Sequence, residues 1–180
     1  MKRIVIIPAR SGSKRITNKN IKSFCGKPII SYALETVKKS NLFDLIHVST
    51  DSEKIANLVT SLGYSVDFLR PLRLSDDHTP IMPVLKWVVE EYAAKNVIFD
   101  EIATMMPCAP FIEPSDLINA AKLLKDNHYK QPILSVASYS APIEWAFNLG
   151  DDSFLTPVQP GMFSKRSQDL PSHYYDTGSF

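Results

Sequence analysis

Arg3-Ile4-Val5-Ile6-Ile7-Pro8, followed at once by Ala9-Arg10-Ser11-Gly12-Ser13-Lys14-Arg15-Ile16-Thr17-Asn18-Lys19-Asn20, sets the reading of this chain. Ile4 to Ile7 offer apolar side chains to both faces of an extended segment. That is the pattern of a central strand in a parallel sheet. The stretch that follows is polar, cationic and punctuated by Gly and Asn, so it reads as a loop at the carboxyl end of the strand. Open α/β sheets bind their ligands beyond that end.

Charge points to the same place. The first 34 residues hold eight Lys or Arg and no acid, and six of these cations lie in residues 9–27. The other 146 residues hold 12 basic and 19 acidic side chains, so the formal net charge of +1 conceals a cationic start on an acidic background. A cationic loop after a buried strand suits a polyphosphate. The plainer alternative is a solvated basic arm, or one that touches nucleic acid. The loop's position between two core elements argues against it.

Outward from the loop, strand and helix signals alternate. Pro28 precedes a helix over 29–39, with Ile30, Ala33, Leu34 and Val37 on one face and Lys38-Lys39 at its end. A second strand is expected at 45–49. Thr50-Asp51-Ser52 offers caps for a helix to 62, ended by Gly63. A third strand is expected at 65–69, a helix at 82–95, a fourth strand at 101–105 and a helix at 115–125. This order predicts a Rossmann-like three-layer α/β/α fold with a mainly parallel sheet. The ligand-facing loops are then 9–27, 50–52, 70–79 and 107–114.

The pattern changes after residue 139. Pro142, Pro157, Pro160 and Pro171, with aromatics and short extended pieces, replace the helices. Such a segment does not build its own core, and a second copy of the chain is the expected cover. The division expected is a nucleotide-binding domain over 1–138, a β-rich dimerisation extension over 139–175, and at 176–180 the start of a returning strand whose continuation is missing.

Composition excludes several classes. An apolar fraction of 44% supports one globular core. No apolar run is long enough for a membrane span, and the start of the chain lacks the pattern of a signal peptide. Cys25 and Cys108 have no metal-ligand spacing and read as free thiols, and the four histidines are scattered. A cytoplasmic location follows from these readings. Neither GxxxxGK[ST] nor GxGxxG is present. What remains is a loop of small residues and cations. Ser11, Gly12 and Ser13 permit close approach of the backbone. Arg10, Lys14 and Lys19 can pair with phosphate oxygens and neutralise a leaving pyrophosphate.

These residues resemble a known family. Residues 6–21 (IIPARSGSKRITNKNI) and 26–30 (GKPII) look like the N-terminal motif of bacterial cytidylyltransferases that activate sialic-acid-like nine-carbon sugars. VSTD at 48–51 and the FLRP…LSDDHT stretch at 68–79 match in order and spacing. The RSQDLP…YYDTG stretch at 166–178 looks like the pseudaminic acid branch. The resemblance spans the whole chain. It implies transfer of CMP from CTP to the anomeric hydroxyl of a nonulosonic acid, with release of pyrophosphate. Mg²⁺ and a homodimer are implied, and neither a nucleic acid polymer nor a membrane is an expected partner. By resemblance, Ala9, Arg10, Ser11, Gly12, Ser13, Lys14, Asn20, Arg70 and Asp77 serve the nucleotide. Arg10, Lys14 and Lys19 serve catalysis, and Arg166 and Gln168 reach the sugar at a dimer interface.

Two departures stand out. Met106 occupies the position of a Gln thought to contact sialic acid, which favours a less polar sugar. The family's metal aspartates lie in a C-terminal motif that this sequence does not contain, so a poorly active chain with Mg²⁺ ligands beyond residue 180 is expected. Plainer roles stay open for single residues. Arg70 reads also as a strand cap paired with Asp76 or Asp77, Asp51 reads first as a helix cap, and Asp176 as a turn residue. Activation of sialic or legionaminic acid is the neighbouring alternative. A glycosyltransferase is the more distant one, and the DxD motif common there is absent.

Overall fold

The computed structural model describes residues 1–180. Contacts divide the chain into two compact units, Met1–Ile133 with Ser179–Phe180, and Leu134–Gly178.

In the first unit, strand β1 (Arg3–Pro8) is followed by a 3₁₀ turn (Lys19–Ile21) and a small hairpin, β2 (Ser23–Phe24) and β3 (Lys27–Pro28). Helix α1 (Ile29–Ser40), β4 (Leu45–Ser49), helices α2 (Glu53–Ser61) and α3 (Ile81–Ala93), β5 (Glu101–Thr104) and α4 (Pro114–Asp126) complete the order. The sheet runs β4-β1-β5, all parallel, with Ile6 opposite His47 on one side and Thr104 on the other. The expectation of a central, parallel first strand is therefore correct.

Alternation along β1 builds both cores. Val5 and Ile7 face Ile30, Ala33, Leu34 and Val37 of α1, Val59 of α2 and Leu117 of α4. Ile4 and Ile6 face Val88 and Tyr92 of α3, with Phe99. All four β1 side chains are fully buried. Each such burial stabilises by roughly 1.5–3 kcal/mol. Helix ends follow local chemistry: Lys38 and Lys39 sit in the last turn of α1, and Asn41 takes the left-handed cap at φ 53°. Glu113 and Asp116 form a capping box around Pro114 at the start of α4.

The third expected strand does not form. Residues 64–70 alternate in exposure, but they bend at Phe68 and join no ladder. Side chains hold this segment instead. Phe68 sits between His47, Trp87 and Tyr92, and the Tyr92 hydroxyl donates to Asp67 Oδ2 at 2.6 Å. A single backbone bond, Arg70 N–H to Thr50 O at 2.7 Å, fastens its end.

The second unit contains β6 (Val136–Ser138), β7 (Phe147–Leu149), β8 (Leu155–Pro157) and β9 (Tyr174–Asp176), paired antiparallel as β6-β9 and β7-β8. Glu144 is its one buried residue, and Phe147, Leu149, Phe154, Leu155, Tyr174 and Tyr175 are exposed. No helix of the chain is long and apolar enough to cross a membrane.

Candidate nucleotide site

The ends of β1 and β4 lie side by side in the sheet, and the loops leaving them lock together. The Ala9 amide donates to Ser49 O at 2.8 Å. Asn20, buried, donates from Nδ2 to Arg10 O at 2.9 Å and pins the loop from below. It accepts weakly from the Cys108 thiol, 3.4 Å away, whose pKa burial raises.

Six of the expected residues, Arg10, Ser11, Gly12, Ser13, Lys14 and Asp77, frame a cleft of about 460 Å³, lined by residues 10–14, 17 and 18 on one side and 75–78 on the other. Arg10 donates from Nη1 to Asp77 Oδ1 at 2.7 Å and to Asp76 O at 3.1 Å. Lys14 pairs with the other oxygen of Asp77. The bonds from Lys14 and Arg10 hold the Asp77 carboxyl below the usual carboxylate range. Asp76 is lowered by bonds from the Thr79 hydroxyl, the Thr79 amide and the His78 amide. A larger depression of about 550 Å³ shares Thr17 and Asn18 but carries only Lys22 and Lys54 as charges. The smaller cleft is where cations and small residues converge.

Arg70 departs from its plainer reading. It does not pair with Asp76 or Asp77, because Arg10 and Lys14 already occupy Asp77. Its buried guanidinium donates from Nε to Ser49 Oγ at 3.0 Å and from Nη2 to Ser49 O at 2.6 Å. Burial lowers its pKa, Asp51 opposes that shift, and Arg10 adds to it. Asp51 is not the cap of α2: Ser52 fills that role, accepting the Ile55 amide at 3.4 Å. Asp51 binds Ser11 instead, by its amide at 2.8 Å and its hydroxyl at 2.6 Å. The sequence offered no signal for this partner, which is distant along the chain.

Lys19 is exposed, forms no ion pair and is absent from the cleft lining. Met105 is fully buried, and Met106 packs against the same core and donates its amide to Ser179 O at 2.8 Å. Arg166 and Gln168 lie in the second unit. There Arg166 makes a two-pronged pair with Asp169, at 2.8 and 3.1 Å, and Gln168 accepts from Ser167 at 3.5 Å. Asp176 does serve a turn, accepting the Gly178 amide at 2.7 Å. No group of three or more His, Cys, Asp or Glu side chains that could hold a metal ion is present.

A parallel sheet with a cationic, small-residue cleft at its carboxyl end is a nucleotide-binding arrangement. Residues 4–151 match the family described as Cytidylyltransferase. The chain belongs to the cytidylyltransferase family.

This cytidylyltransferase is 34% identical, over 180 residues, to pseudaminic acid cytidylyltransferase of Campylobacter jejuni, covering 100% of this chain and 77% of the relative. It is 30% identical over 170 residues to CMP-N,N'-diacetyllegionaminic acid synthase of Legionella pneumophila, covering 94% and 70%. Among solved structures, the fold is similar to CMP:2-keto-3-deoxy-manno-octonic acid synthetase complexed with CTP. The TM-score is 0.66 at 20% identity, over 99% of this chain and 72% of that one. The fold of this cytidylyltransferase is thus the nucleotidyltransferase α/β fold expected from its strand and helix order.

Proposed function

We propose that this cytidylyltransferase transfers CMP from CTP to the anomeric hydroxyl of a nonulosonic acid, pseudaminic acid foremost. The observation that carries the sugar assignment is the 34% identity along the full chain to a pseudaminic acid cytidylyltransferase. The sugar oxygen forms a bond to the α-phosphorus, the bond from that phosphorus to the bridging oxygen breaks, and pyrophosphate leaves. The hydroxyl proton is released to solvent.

Arg10 and Lys14 are placed to take the departing phosphates. Both are now paired with Asp77, so the triphosphate replaces a carboxylate that already sits among the cations. Charge-assisted bonds of this kind neutralise the leaving group as it forms. Arg70, fixed at the end of β4, presents a buried charge near Asp51 and Arg10. Mg²⁺ is the proposed metal, and when bound it would add to the neutralisation of charge on the phosphates. Arg166 and Gln168 are proposed sugar contacts across a homodimer, and a cytoplasmic location fits a CTP-using enzyme.

The test is pyrophosphate release from CTP with pseudaminic, legionaminic and N-acetylneuraminic acids offered separately. Turnover is expected with pseudaminic acid first. Preference for legionaminic acid would favour the Legionella relative's chemistry, and preference for ATP, GTP or UTP over CTP would sink the nucleotide assignment.

A further inference from the structure

Both oxygens of Asp51 are committed to one residue. Oδ1 accepts the amide of Ser11 at 2.8 Å and Oδ2 accepts its hydroxyl at 2.6 Å. The Ser11 carbonyl is engaged as well, accepting the Ser13 amide at 2.9 Å. Every polar group of Ser11 is therefore held inside the protein. The amides of Gly12 and Lys14, by contrast, donate to no protein acceptor, although both residues line the cleft. Loops that bind phosphate do so through such unengaged amides.

An acid this close to a polyphosphate site needs an explanation, because like charges repel. Here its charge is screened from the cleft by two donors from Ser11, and it favours the charge of Arg70. The same short turn, Ser49 to Asp51, also accepts the Ala9 amide and both Arg70 side-chain bonds. One turn thus anchors both the loop after β1 and the Arg70 side chain.

We propose that Asp51 is the positioning residue of the nucleotide loop: by holding the amide and hydroxyl of Ser11, it fixes the turn that leaves the Gly12 and Lys14 amides for the phosphates of CTP. This rests on the nucleotide reading of the cleft given above. An amide at position 51 keeps the geometry, since its oxygen accepts the Ser11 amide and its nitrogen donates to the Ser11 hydroxyl. Alanine keeps neither bond.

Wild type, Asp51→Ala, Asp51→Asn and Ser11→Ala are compared for binding of CTP and pyrophosphate by calorimetry, and of cytidine by ligand-observed NMR. Asp51→Ala is expected to weaken CTP and pyrophosphate about tenfold, the size of a lost charge-assisted bond, and to leave cytidine unchanged. Asp51→Asn should stay within about threefold of wild type, because both contacts persist. Equal CTP binding by wild type and Asp51→Ala would overturn the proposal. So would a loss for cytidine as large as that for CTP, since that is the mark of a general structural role. If circular dichroism shows Asp51→Ala unfolded, Ser11→Ala decides: a loss for pyrophosphate without a loss for cytidine supports the role, and no loss rejects it. A wild type that binds no CTP would remove the nucleotide reading itself, and this inference with it.

Discussion

An added Cβ at Gly12 meets only Arg10 Nη1, at 3.7 Å, an ordinary contact. The folded chain therefore accepts Gly12→Ala, and any effect must come from a ligand brought close to the backbone. The expected result is an unchanged melting temperature with clearly weaker CTP binding; unchanged binding would show that the phosphates do not approach this backbone. Charge in the cleft makes a paired prediction. Lys14→Ala removes a cation and should weaken CTP about tenfold or more. Asp77→Asn removes the anion that Arg10 and Lys14 now hold, and should tighten CTP in metal-free buffer while steepening its salt dependence. A loss of affinity in Asp77→Asn would mean that Asp77 serves the ligand directly. The cations and small residues of this loop were legible in the sequence, because residue type alone carries charge and size. Their pairing with Asp77, more than 60 residues away, was not.

Three elements meet around His47, Tyr92 and Asp67. The Tyr92 hydroxyl donates to Asp67, so its oxygen accepts from His47 Nδ1–H, 2.9 Å away. That fixes the neutral tautomer and leaves Nε2 buried without a partner. Burial lowers the His47 pKa from 6.5 to about 4; Asp67 opposes this, and Arg70 and Lys95 add to it. In the unfolded chain the ring protonates near its ordinary value, while in the folded chain it stays neutral down to about 4. Stability from this site is fully present above pH 6.5 and is lost as the pH falls towards 4, by about 3 kcal/mol in all. Urea unfolding at pH 7.5 and pH 4.5 should show the drop, and His47→Gln should flatten it. An equal drop in His47→Gln would exclude His47 as the cause. The same cluster explains why residues 65–69, a strand by their pattern, join no ladder. Alternating exposure is visible in the sequence, but whether the backbone or the side chains hold the segment depends on α3 lying opposite.

At the scale of the whole molecule, the second unit leaves Leu149 and Phe154 more than 70% exposed, a large apolar surface for 45 residues of chain. Exposed apolar patches of this kind mark contacts with other chains. A homodimer through residues 139–175 is the proposed cover. Sedimentation should give a dimer, and mixing Arg166→Ala with Lys14→Ala chains should restore part of the activity lost in each alone, because one composite site is then intact. A monomer with full activity would exclude the arrangement.

Periodicity and composition by themselves determined the central strand, the helices on its two faces and the cationic loop at its end, because those depend on local spacing and on side-chain type. The motifs of that loop also pointed to the cytidylyltransferase family before any contact was known. Only the tertiary structure decided that Asp51 holds Ser11, that Arg70 binds the end of β4 rather than Asp77, and that residues 64–70 lie beside the sheet without joining it. Each of these is a choice among several polar partners with similar intrinsic strength. The packing of β1 between β4 and β5 decides it, by settling which loop ends come within bonding distance.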